Sequence, residues 1–343
     1  MNRSEDAPMA RADAVALVTA AYRYVLRREP DPEGLAGYVA AIEQGRSATW
    51  LLEELGASEE FRKAGDLHIK ARLAQAGLTA LSENALSREL ERCEALPRER
   101  YDALWDEIFA SGRQLVVGQE EYARTHRERF FELMNAVVVL TRGRKAPRVL
   151  ELGPSEFSAM YARLLPDVEL VIADRPVPPG YIGFTEAYCR EVLGCAHFAY
   201  VDLASIADLD ANLPALGVFD LIVMTEVLEH LPIHPVDVLS RLLARLARDG
   251  FLYLTTPNFL SGTHLDAIDR GENPCAVYPA GTANWDAHHH YREYEAVELA
   301  RYVREARGRL EAFGFSDCWD PRGSPLPAHR QGNLVLVAIE ACT

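Results

Sequence analysis

No apolar run in this chain approaches the roughly 20 residues that a bilayer-crossing helix needs, so no membrane span is expected. The six cysteines (Cys93, Cys189, Cys195, Cys275, Cys318, Cys342) stand apart without a C-x-x-C pair. That spacing indicates neither a zinc ribbon nor a disulfide framework. The opening Met1-Asn-Arg-Ser-Glu-Asp-Ala-Pro8 lacks the basic-then-apolar layout of a secretory leader, and the expectation is a cytoplasmic protein. Positive charge is short as well: 36 Lys and Arg face 51 Asp and Glu, a formal net charge of -15. So acidic a chain repels a phosphate backbone, and nucleic acid is not expected as a partner. Arg124, Arg127 and Arg129 gather on one helical stretch and read as a solvated face.

What is present is a globular composition, 49% hydrophobic and 25% charged over 343 residues. A prior of roughly 150 residues per domain suggests two domains. Residues 13 to 28 place Val15, Val18, Tyr22 and Val25 at helical spacing. In Glu29-Pro-Asp-Pro-Glu-Gly34, Asp31 suits an N-cap and Pro32 the first helical position. Together with Ser58-Glu-Glu-Phe61, these residues make the segment similar to the small helical DUF4214 family, which implies a docking or stability module and not chemistry. Residues 1–65 are therefore expected to form a helical module and 66–120 a helical connecting region, with one long helix from Gln119 to Leu140.

From Arg148 the pattern changes. Val149–Leu152, Leu170–Ala173, His197–Val201, Phe219–Met224 and Phe251–Leu254 are short apolar runs alternating with helical stretches. This argues for βαβ units and a parallel sheet covered by helices. Phe315–Asp320 and Asn333–Glu340 predict an antiparallel hairpin at one edge. The expected fold class is α/β, a doubly wound, mostly parallel seven-stranded sheet over residues 121–343, with an all-helical N-terminal domain.

In such a sheet, ligands bind beyond the carboxyl ends of the strands. Those ends carry Glu151 and Gly153, Asp174, Asp202, and Glu226 followed by Glu229-His230. Asp174 lies 21 residues after Gly153, near the separation at which an acid grips the ribose hydroxyls of a nucleoside. Yet Gly153-Pro-Ser-Glu-Phe-Ser158 lacks the second and third glycines that let a backbone approach a pyrophosphate. A nucleoside with no phosphates and a positive charge fits better, as in S-adenosylmethionine.

The ordered set Val149-Leu-Glu-Leu-Gly153, Ile172-Ala-Asp174, Val201-Asp-Leu203, Phe219–His230 and Gly250–Asn258 resembles the class I S-adenosylmethionine-dependent methyltransferases. The resemblance implies that Glu151 and Gly153 shape the methionine end of the pocket and that Asp174 holds the ribose. Asp202 then accepts from the adenine amino group, and Glu226 and Val227 line the floor. Ser155 replaces a glycine, with backbone N–H groups still expected to face a carboxylate.

Methyl transfer to a hydroxyl calls for a base, and the candidates are His230 and the group Asp286–Tyr294. The latter resembles an H-x-R-E-Y element of methyltransferases from bacterial polysaccharide clusters, with His290, Arg292, Glu293 and Tyr294 at the matching positions and His289 beside them. His290 and His230 are the expected catalytic residues; His289, Arg292, Glu293 and Tyr294 the expected acceptor contacts. A metal reading of His264, Asp286, His288, His289 and His290 competes. Adjacent side chains point in different directions, and no metal is expected. The expected acceptor is a sugar or glycan intermediate, with a small natural product or phenol as the alternative. A non-catalytic cofactor-binding scaffold in a glycan assembly complex, docked through the helical module, is the third reading.

Overall fold

Strand β1 (Arg148–Leu152) is buried at every residue after Arg148, because it lies between two parallel neighbours and under helices on both faces. The computed structural model describes residues 9–26, 28–110, 120–176, 184–275, 289–318 and 326–341. The other strands are β2 (Glu169–Asp174), β3 (His197–Tyr200), β4 (Phe219–Thr225), β5 (Leu246–Pro257), β6 (Gly308–Ser316) and β7 (Asn333–Glu340). They form one seven-stranded sheet in the order β3-β2-β1-β4-β5-β7-β6. Strands β1 to β5 run parallel, and β7 runs antiparallel between β5 and β6. This is the doubly wound, mostly parallel seven-stranded sheet expected from the sequence. The strand order reverses beside β1, which pairs with β2 on one side and β4 on the other. In open α/β sheets ligands bind at such a switch point, past the carboxyl ends.

Two elements differ from the sequence expectation. The sixth strand spans Gly308–Ser316, not Phe315–Asp320, and Asp317 and Cys318 lie outside it. It carries Arg309 and Glu311, which pair with each other at 2.9 Å, so its polar half concealed it. The expected long helix is two, Glu120–Thr125 and Arg127–Leu140, parted at His126, whose φ of -100° and ψ of 14° leave the helical region. Of the three arginines expected on a solvated face, Arg124 is exposed, Arg127 half-buried and Arg129 buried. Arg129 is buried against the Phe130 ring, Arg127 pairs with Asp102 at 2.8 Å, and the Arg124 guanidinium covers Phe109.

The chain divides into two units, residues 1–72 and 73–343. The first packs Ala14, Val18, Tyr22, Leu26, Val39, Ile42, Leu51 and Leu55 into a core of its own. Asp31 caps the helix Pro32–Glu43, accepting from the Gly34 N–H at 2.8 Å. A Cβ on Gly34 would collide with the Tyr22 hydroxyl, so the glycine of this motif makes room for that side chain.

In the second unit, the helices that precede β1 belong to the sheet. Asn84 Nδ2 donates to the Glu311 carbonyl at 2.7 Å, and the Phe313 N–H donates to Ser87 Oγ at 3.0 Å. Trp105, on the helix Arg98–Ala110, stacks face to face on Phe157, with centroids 4.0 Å apart and planes 6° apart.

Candidate functional site

The loop after β1 starts at Gly153, whose φ is +69° and whose missing Cβ would lie 2.7 Å from Val227 Cγ2. Only glycine takes this backbone at little cost, and the contact brings the ends of β1 and β4 together. Ser155 then opens a 3-10 turn, Glu156–Met160. Its Oγ accepts from the Phe157 N–H at 3.2 Å, while its own N–H donates to Ser158 Oγ at 3.0 Å. That N–H is therefore spent inside the loop. Phe157, at the usual third small position, is fully buried among Trp105, Phe130 and Phe109. Glycine is unnecessary there because the loop is closed by an aromatic anchor.

Glu151 sits beneath this turn, 3% exposed. Its Oε1 accepts from the Tyr161 hydroxyl at 3.4 Å, and its Oε2 is buried with no hydrogen-bond partner among the described residues. Burial pushes its carboxyl up to about 8. Asp174 ends β2, one oxygen accepting from the Arg175 N–H at 2.8 Å, and burial lifts it to about 6. Asp202 follows β3 and accepts from the Ala204 N–H at 2.9 Å. The Gly153 N–H reaches the Ala173 carbonyl and the Val201 N–H reaches that of Asp174, at 3.3 and 2.8 Å. Asp202, Asp174, Gly153 and Val227 thus stand in a row along four adjacent strand ends.

Glu226 leaves that row. It has a φ of +54°, and its Oε1 accepts from Thr255 Oγ1 at 2.6 Å and Asn333 Nδ2 at 2.9 Å, tying β4 to the ends of β5 and β7.

On the other side of β4 lies the segment 289–294. Its Tyr291 and Arg292 N–H groups both donate to the Glu229 carbonyl, at 2.8 and 3.3 Å, and Tyr294 bridges to Asn258 past β5. His290 Nδ1 is 2.7 Å from Glu293 Oε1, and the other Glu293 oxygen is 3.4 Å from His264 Nε2. The His290 ring meets the His230 ring edge to face at 4.8 Å, and His230 Nδ1 is 3.0 Å from the His289 carbonyl. Arg292 turns outward to Glu298 at 2.6 Å. Tyr294 and His289 are buried. Asp286 and His288 lie outside the described residues.

A family model described as a methyltransferase domain matches residues 122–308, more than half of the chain. The chain belongs to this methyltransferase family. Among solved structures, the methyltransferase is similar to magnesium protoporphyrin IX methyltransferase from Synechocystis PCC 6803 with bound SAH (S-adenosylhomocysteine), at 17% identity and a TM-score of 0.43, covering 70% of this chain and 94% of that one. It is also similar to the 1,6-didemethyltoxoflavin-N1-methyltransferase of Burkholderia thailandensis, at 17% identity and a TM-score of 0.41, over 72% of this chain and 92% of that one. A third is the N-methyltransferase NodS of Bradyrhizobium japonicum WM9, with 18% identity, a TM-score of 0.38 and 64% and 98% coverage. No curated protein matches the chain.

The methyl donor of this methyltransferase is S-adenosylmethionine. The residues present fit it: the glycine turn at the switch point, the two aspartates that follow in strand order, and the orphaned Glu151 oxygen, which a ligand's ammonium or a bound water would satisfy. Two further buried residues near these strand ends had no role in the sequence reading. Glu229, fully buried, accepts from Thr256 Oγ1 at 2.9 Å, and Tyr161 reaches Glu151. Glu229 stood in the strand-four motif but carried no spacing cue, and Tyr161 carried none at all.

Proposed function

We propose that this methyltransferase O-methylates a hydroxyl of a sugar or glycan intermediate, with His290 as the base. The observation that carries the reading is the His290–Glu293 pair, Nδ1 to Oε1 2.7 Å. A carboxylate only accepts, so the ring proton sits on Nδ1 and the Nε2 lone pair is left to receive a proton. An alcohol of high pKa needs such a group, whereas an acceptor already ionised does not. Glu293 acts as a positioning residue, fixing the ring and its tautomer. His230, in edge contact with the His290 ring, orients it from the other side.

When bound, S-adenosylmethionine supplies a methyl group activated by a positively charged sulfur, which leaves as a neutral thioether. Asp174 would accept from the ribose hydroxyls, Asp202 from the adenine amino group, and Glu151 would balance the amino group of the methionine part. Gly153 and Val227 form the floor, and Glu226 and Ser155 hold the turns beneath it. Arg292 and Tyr294 anchor the acceptor segment through Glu298 and Asn258, and His289 offers its carbonyl to His230.

The helical unit 1–72 carries none of these residues. It exposes Tyr24, Leu52 and Leu67, and in this reading it docks a partner protein. A methyl-donor assay against nucleotide sugars, glycans, phenols and amines tests the acceptor class. Turnover confined to amines or phenols sinks the sugar assignment.

A further inference from the structure

The turn after β4 also meets the requirements of a cation site. Glu229, His230 and His290 each offer one ligand atom, and the three atoms lie within 4.8 Å of one another. Glu229 is the fixed member. It is 1% exposed, its Oε2 is held by the Thr256 hydroxyl, and its Oε1 is buried with no hydrogen-bond partner among the described residues, 3.9 Å from His230 Nε2. A buried carboxylate oxygen without a donor is costly, and a cation beside it removes the cost.

Both imidazoles are preset as ligands. His230 Nδ1 faces the His289 carbonyl and His290 Nδ1 faces the Glu293 carboxylate, at 3.0 and 2.7 Å. Each acceptor keeps the ring proton on Nδ1 and the lone pair on Nε2. Metal-bound histidines carry this same outer partner, which fixes tautomer and orientation. The donor set, two imidazoles and one carboxylate, suits a borderline transition ion, whereas Mg²⁺ and Ca²⁺ take oxygen ligands.

We propose that Glu229, His230 and His290 form a site for a divalent transition cation of the Zn²⁺ class, and that its occupancy stops methyl transfer. The second half rests on the base reading above: the ion takes the same His290 Nε2 lone pair that receives the acceptor's proton. With Zn–N distances of about 2.0–2.1 Å, tetrahedral ligands lie about 3.3 Å apart. The loosest pair must therefore close by about 1.5 Å from the 4.8 Å limit. That closure falls to the two histidine side chains, 25% and 29% exposed, while Glu229, buried and held by Thr256, stays in place.

The test is calorimetric titration of the full chain with ZnCl₂, with the visible absorption of Co²⁺ as the report on coordination. One tight equivalent is expected, with affinity falling at least about tenfold in each of Glu229→Gln, His230→Ala and His290→Ala, since even outer-shell partners of metal ligands cost about 10–100-fold. Unchanged S-adenosylhomocysteine binding shows that the variants fold. Zn²⁺ affinity equal in all three variants and the parent overturns the site. On the acceptor found by the panel, Zn²⁺ is expected to inhibit and a chelator to restore turnover. Activation by Zn²⁺ overturns the inhibitory role. The two readings fail separately: no Zn²⁺ binding by the parent together with a slow His290→Ala removes the site and keeps the base, while variant-sensitive Zn²⁺ binding with a fully active His290→Ala does the reverse.

Discussion

His290 and Glu293 meet at 2.7 Å, three residues apart, on a segment whose backbone is pinned to Glu229 at the end of β4. His290→Ala is expected to slow turnover by about 10²–10⁴-fold, the range of a positioned proton-transfer group, with S-adenosylhomocysteine affinity unchanged. Glu293→Gln keeps an acceptor for Nδ1 but loses the charge, and a smaller loss in kcat is expected. Steady-state kinetics with calorimetry checks both; wild-type kcat in His290→Ala removes it as the base.

Asp174→Ala is expected to weaken S-adenosylmethionine binding by about 1.5–3 kcal/mol, the value of hydrogen bonds to a charged group. Asp174→Asn, which keeps one acceptor oxygen, falls between. Calorimetry with the cofactor product reads it, and an unchanged Kd shows that β2 does not hold the ribose.

Burial holds Glu151 at about 8, Glu132 at about 7 and Asp174 at about 6, each above the ordinary carboxyl value. The folded chain therefore keeps protons that the unfolded chain has lost, and this contribution to stability is full below about 4 and declines as pH rises toward 8. Glu151→Gln, which cannot ionise, is expected to raise Tm at pH 8 and to change it little at pH 4. Thermal unfolding across that window checks the sign; a larger gain at pH 4 contradicts it.

Gly153→Ala meets a φ of +69° and a Val227 methyl at 2.7 Å. A loss of about 1–3 kcal/mol is expected from the backbone alone. Val227→Ala in the same chain relieves the clash but not the backbone, so only part of the stability returns in denaturant titration.

Phe157→Ala removes the ring stacked on Trp105 and is expected to cost about 3–5 kcal/mol. Phe157→Gly restores the residue type usual in such loops, and the expectation is lower stability with no gain in cofactor affinity. Tighter binding shows that the ring obstructs the pocket.

Strands β1, β2, β4 and the buried half of β5 were legible because buried parallel strands read as unbroken apolar runs; the polar start of β5, from Leu246 to Gly250, was not. The edge strand β6 was displaced because Arg309 and Glu311 break its pattern. Asp174 and Asp202 were legible as strand-end positions, since spacing within a βαβ unit is set by the geometry of that unit. The meeting of Glu229 with His290 was not, because the chain between them passes through β5 and an insertion, and no local rule links the two. The turned conformation of Glu226 was also hidden: a positive φ on a residue other than glycine is imposed by Thr255 and Asn333 from other strands.

The Phe157–Trp105 stack bears on the entropy of binding. A glycine-rich loop must give up many backbone states when it closes on a ligand. Here an aromatic face from a helix that precedes the sheet has removed those states before the ligand arrives. S-adenosylmethionine then meets a loop with little left to order, and its association is expected to carry only a small conformational-entropy cost from this segment.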